Sequence, residues 1–132
     1  MSKVRVTTYE FPKVFSDLVL HELDPRYSRE TVTVAADVGA LPFGAILSRR
    51  SDGTYEPLKE VSGTLGDAKA ILISQGGLPA SAEPQEVLVL RGYCIVNATN
   101  VQFDASVAKK AEALTSLSDR GFIVKEVPED VA

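Results

Sequence analysis

Hydrophobic and polar positions are most regularly ordered between Glu30 and Leu58, and this stretch sets the fold class. Thr31-Val32-Thr33-Val34 puts its apolar side chains on one side only, as a strand of period two requires. Gly39 and Pro42 interrupt the pattern, and Phe43-Gly44-Ala45-Ile46-Leu47 opens a second apolar run. Ser51-Asp52-Gly53 reads as a turn, because Asp and Gly tolerate positive φ, and Thr54-Tyr55 resumes extended chain. Farther on, Glu60 to Gly66 reads as a polar surface loop and Ala68 to Ile73 as a buried strand. Gln75 to Pro84 is the longest irregular segment. Gln85 to Ile95 is a long strand or a strand pair, with Gly92 a candidate bulge or close-approach position, and Asn97 to Asn100 is a polar turn.

From Ala105 to about Asp119 the period becomes helical, with Val107, Ala111, Leu114 and Leu117 near one face. Asp104 or Ser106 can cap the start of this helix and Gly121 its end. Phe122-Ile123-Val124 is a last strand, followed by a short acidic tail from Pro128. The expectation is a mainly β, single compact domain with one short C-terminal helix.

Residues 1–24 are patterned differently. Val4, Val6 and Thr8 alternate with Lys3, Arg5 and Thr7, and Tyr9 and Phe11 follow before Pro12. Val14-Phe15 and Leu18-Val19-Leu20 are small apolar clusters with no partner in the segment itself. Two readings stand side by side: a first strand of the domain's own sheet, or an arm that docks on another subunit. A strand with unpaired N–H and C=O groups readily pairs with another sheet edge. Asp24 to Ser28 reads as a turn or linker, which divides the chain into an extended N-terminal arm, 1–24, and a β-rich domain, 25–132.

Composition narrows the function classes. At 132 residues the chain has room for one modest core, and its net charge of −4 argues against general affinity for nucleic acid or membrane surfaces. Cys94 is the single cysteine and lies in the apolar run Val87 to Val96, so it reads as a buried thiol. No apolar run approaches the roughly 20 residues a membrane helix needs, and the N-terminus lacks the apolar core of a signal peptide, which implies synthesis and retention in a reducing cytoplasm or in a particle assembled there.

Candidate chemistry is sparse. His21 is the only histidine, so a hydrolytic triad lacks its usual base, and one Cys with one His cannot build a Cys/His metal cluster within a chain. The carboxylates are scattered through turns, Arg49-Arg50 reads as a solvated hairpin edge, and Gly76-Gly77 lacks both the P-loop lysine and the dinucleotide-binding glycine spacing. The residues point away from an enzyme and imply no cofactor and no metal.

The order of these signals resembles that of the head decoration proteins of tailed bacteriophages, the capsid-cementing group of the lambda protein D type. The features that carry the resemblance are the Gly39 to Leu47 corner, the Asp52-Gly53 turn followed by Thr54 to Leu58, and the Ala68 to Ser74 run. The strand ending in Arg91-Gly92, the short helix and the Gly121 to Val124 strand complete the series, across roughly residues 30–125. The resemblance implies a β-clip-like fold and a homotrimer at local three-fold positions on the outer capsid surface of the virion. It also implies synthesis in the host cytoplasm, with the major capsid protein and the chain itself as partners. In the family the N-terminal arm adds a strand to capsid protein segments. The arm here is richer in β-branched and aromatic residues than the lambda type, so this role transfers only as a region. Within it, Val4, Val6, Tyr9, Phe11 and Phe15 are the expected capsid-binding anchors. Leu41, Phe43, Leu78 and Pro79 are expected at the trimer contact from their apolar loop character. Rival readings are another virion structural protein, associated with tail or fibre, and a small ligand-binding or enzymatic β domain with its site between subunits.

Overall fold

The computed structural model describes residues 15–74 and 76–125. The chain enters through α1 (Phe15–Leu18) and β1 (Val19–Glu22), turns through α2 (Pro25–Ser28) and runs into β2 (Arg29–Val34). β3 (Ile46–Arg49), β4 (Tyr55–Pro57) and a small hairpin of β5 (Glu60–Val61) with β6 (Thr64–Leu65) come next. They are followed by β7 (Ala70–Leu72), β8 (Gln85–Leu90) and β9 (Cys94–Asn97), then a 3₁₀ turn at Ala98–Asn100, α3 (Lys110–Ser118) and β10 (Phe122–Lys125). The mainly β expectation holds.

Five strands close into a barrel in the order β2-β4-β3-β7-β8. Closure comes from β8 returning antiparallel to β2, in register from Arg29↔Leu90 to Val34↔Gln85. Val32, Val34, Leu47, Ala70, Leu72, Val87 and Val89 fill the interior. A three-stranded sheet, β1-β9-β10, stands beside the barrel, antiparallel between β1 and β9 and parallel between β9 and β10. Ile46, Ile71 and Leu90 from the barrel meet Val19, Cys94, Val96 and Phe122 from the sheet and Leu117 from α3 in a second core.

The barrel wall between the two cores explains the unbroken apolar run in β7. Ala70 and Leu72 point into the barrel while Ile71 points into the second core, and all three are buried. A strand covered on both faces needs no alternation. Ile46-Leu47 and Val89-Leu90 divide their side chains between the same two cores.

The corner before β3 depends on glycine. Gly44 sits at φ +88°, and a Cβ there would lie 2.6 Å from the Asn100 carbonyl oxygen. The close approach is built into the fold, since Gly44 N–H donates to Leu72 O at 2.9 Å and Gln102 N–H donates to Gly44 O at 2.9 Å. Gly44→Ala is expected to cost at least about 1–3 kcal/mol through the left-handed backbone alone, read as a lower denaturant midpoint at unchanged slope.

Two expectations change in detail, and one left open is decided. Residues 15–24 belong to the domain: Leu18 is fully buried, Val19 is 7% exposed, and β1 pairs with β9 from Val19↔Val96 to Glu22↔Cys94. Asn100 pins the entry by donating from Nδ2 to Asp17 O at 2.6 Å. The stretch available as an arm therefore shortens to residues 1–14, which lie outside the described residues. The helix starts at Lys110 rather than Ala105. Upstream, the Asp104 carboxylate takes the Ser106 N–H and hydroxyl in a local turn, at 3.1 and 2.6 Å, which competes with helix. The Glu60 carboxylate then accepts from Ala108 N–H and Lys109 N–H at 3.2 and 3.0 Å, so the hairpin supplies the helix with its acceptor. Finally, Gln85 to Ile95 is a strand pair, β8 and β9, joined by a corner at Gly92 (φ +142°) and Tyr93 (φ +57°).

Candidate contact surface

Of the five expected capsid anchors, Val4, Val6, Tyr9 and Phe11 lie outside the described residues. Phe15 is at the root of the segment, half-buried and packed against the second core. The Arg29 guanidinium carbon stands 4.6 Å from the centre of its ring, a cation–π contact. The same guanidinium grips Glu22, with Nε 2.8 Å from Oε2 and the second nitrogen 2.9 Å from Oε1. The Ser28 hydroxyl donates to the same carboxylate. Arg29 thus ties α1, β1 and β2 together where the leading segment meets the domain.

The hydrogen bonds from Arg29 hold the Glu22 carboxyl below its ordinary 4.5; burial opposes them and the Ser28 hydroxyl reinforces them. The Glu22 hydrogen bond raises the Arg29 value in return. A depressed carboxylate contributes stability that is complete above the unfolded-state value and is lost as pH falls through the lower folded-state value. Glu22→Gln is expected to cost about 1.5–3 kcal/mol at pH 7, the range for a hydrogen bond to a charged group. It should also make stability less dependent on pH below 4.5 than in the unmodified chain. Urea titrations at pH 7 and pH 3 check both.

The four expected trimer contacts separate into two kinds. Leu41 and Phe43 are 5% and 7% exposed, each packed into a core of its own subunit, which leaves little of either side chain for a neighbour. Leu78 is half-buried and Pro79 exposed. Leu41 and Leu78 exchange backbone hydrogen bonds, 2.8 and 2.7 Å, which draws the corner onto the later loop and carries Leu41 inward.

Sequence reasoning passed over Leu23, Tyr93 and Ile123, which are 72%, 52% and 56% exposed. The signal was present: Cys94-Ile95-Val96 and Phe122-Ile123-Val124 are apolar at every position, yet lie in a sheet with an outward face. Cys94 faces the second core, and burial pushes its thiol up to about 12, with the Glu22 charge adding to the shift. Such a thiol is not a nucleophile at neutral pH. Among the described residues no group of three or more His, Cys, Asp or Glu side chains could hold a metal ion.

What these features define is a mainly β domain with several large apolar side chains left exposed. The chain belongs to the family of bacteriophage lambda head decoration protein D, whose family model matches residues 8–122. That family is one of structural capsid proteins rather than enzymes. A search of curated proteins finds no match to the chain.

Proposed function

We propose that the chain decorates the outer surface of a phage head, binding the major capsid protein as a homotrimer at local three-fold sites and holding the expanded shell together. The observation that carries this reading is the family match across residues 8–122. The fold supports it, because a small domain with two modest cores gains from burying apolar surface against partners.

In this reading residues 1–14 are the capsid-binding arm, with Val4, Val6, Tyr9 and Phe11 as apolar anchors and Phe15 fixing the arm's root. Leu78 and Pro79 are the surface positions offered to the trimer contact. Three arms on one trimer engage together, so modest single affinities combine through effective concentration into slow release. Gripping adjacent capsid subunits resists the outward pressure of packaged DNA without any reaction.

The test mixes purified protein with expanded heads of the parent phage made without it, followed by imaging and heat challenge. Density at local three-fold positions and heads that survive higher temperature are the expected result. Heads that stay bare at saturating protein overturn the proposal.

A further inference from the structure

Strands β2 and β8 pair antiparallel along their whole length, so the pair has two ends, about 20 Å apart at the usual rise per strand residue. These ends carry opposite charge. At one of them Arg91 follows β8, its N–H donating to Ser28 O at 2.8 Å and its Nε to Tyr27 O at 2.6 Å. The Arg120 backbone is held beside the same corner: a Cβ at Gly92 would lie 2.5 Å from Arg120 O, and Tyr93 N–H donates to Gly121 O at 3.0 Å. Arg26 and Arg29, also here, are paired with Asp24 and Glu22. Among the described residues Arg91 and Arg120 have no ion-pair partner, and neither has Glu30, so two guanidinium groups stand against one carboxylate.

At the other end Glu86 stands opposite Thr33, and Ser81 gathers Asp37 and Glu83 close by. The Ser81 carbonyl accepts from Asp37 N–H at 2.9 Å, and its hydroxyl accepts from Glu83 N–H at 3.0 Å. Asp37, Glu83 and Glu86 are all exposed and have no ion-pair partner among the described residues. Arg49, on the far side of β4, lies against Gly53 in its own turn. Each end adds apolar or aromatic surface to its charge. Tyr27 and Tyr93 flank Arg91 and are 56% and 52% exposed, Tyr93 on a backbone of φ +57° that bulky residues rarely adopt. Pro79 is exposed and Leu78 half-buried in the loop that leads to Ser81.

We infer that these two ends bind each other between copies of the chain, the arginine end of one subunit against the acidic end of the next. The inference rests on the homotrimer proposed above and names its contact. A three-fold ring is heterologous: every subunit contributes two different patches, and neither patch meets itself. A chain that closes such a ring must carry both halves of the contact, and here both lie on one strand pair. Opposite charge also sets the orientation, because an approach of like ends brings like charges together. Tyrosine and arginine are the residue types that most often carry interface energy. A different acidic protein would satisfy the arginine end and leave the carboxylate end without a counterpart, whereas a second copy satisfies both.

The experiment uses full-length chains carrying Arg120→Glu, Glu83→Arg or both. Neither side chain makes a hydrogen bond or ion pair among the described residues, so Tm should match the unmodified chain in all three. Trimer dissociation is read by analytical ultracentrifugation at low and high salt, and head binding separately by co-sedimentation with expanded, undecorated heads. The unmodified chain is expected to form trimers that loosen as salt rises. Each single reversal should weaken trimerisation at least about tenfold, and the double reversal should recover most of that loss because the pair is restored with its signs exchanged. Single variants that trimerise like the unmodified chain overturn the inference. So does a double variant no better than the singles, an unmodified chain that stays monomeric, or one that grows past three copies. Trimers that form as expected but leave heads bare overturn the decoration role and leave this contact standing; monomers that still coat heads do the reverse.

Discussion

A chain lacking residues 1–13 is expected to keep its Tm and oligomeric state and yet to lose binding to expanded heads by more than about a hundredfold, the scale of the avidity that linked arms supply. Stability should survive because, among the described residues, the buried members of both cores lie between Leu18 and Phe122. A longer deletion, through Leu23, has a different outcome. It removes fully buried Leu18, buried Val19, the β1 pairing with β9, and the Glu22 carboxylate that Arg29 grips. That chain should be unfolded at room temperature, since the lost contacts together approach the 5–15 kcal/mol by which domains are stable. Circular dichroism and head co-sedimentation on the two truncations separate arm from domain. A shorter truncation that still saturates heads rejects the arm as the principal contact.

Leu47→Ala is expected to be the most damaging kind of single substitution in the described domain. Leu47 is fully buried in the barrel, and its loss leaves a cavity in a closed ring of strands that cannot collapse freely. The expected cost is about 3–5 kcal/mol, the upper part of the range for buried leucine. Leu88→Ala on β8 is the control: its side chain is 38% exposed, so the cost should stay below about 1 kcal/mol. Chemical denaturation of the two variants gives the comparison directly. Equal losses would mean that the barrel interior is not the core that holds the domain.

The barrel strands were the most legible part of the sequence, because their signals are local. Alternation in Thr31 to Val34 and the closed run Ala70 to Leu72 each follow from which faces are covered. The start of α3 was not legible. Its acceptor, Glu60, arrives from a hairpin far upstream, and nothing around Asp104 to Lys109 records that contact. The same holds for Leu18 and Val19, whose partner Val96 comes from the other half of the chain, so a core strand read as part of an arm. Leu41 and Phe43 read as apolar loop residues, and the tight Gly44 corner brings both into the cores of the chain itself. The outer sheet face was written in the sequence but hidden by its uniformity, since a run apolar at every position does not say which side stays open.

The closed barrel and the open sheet also respond differently to force. A ring of paired strands has no end from which to unzip, whereas among the described residues β1 is a border strand, paired with β9. Tension applied to the leading end of the chain arrives at Phe15 and Arg29, then at that single seam. The seam is therefore expected to yield first under load, and because the domain depends on the contacts β1 carries, the barrel is not expected to outlast it.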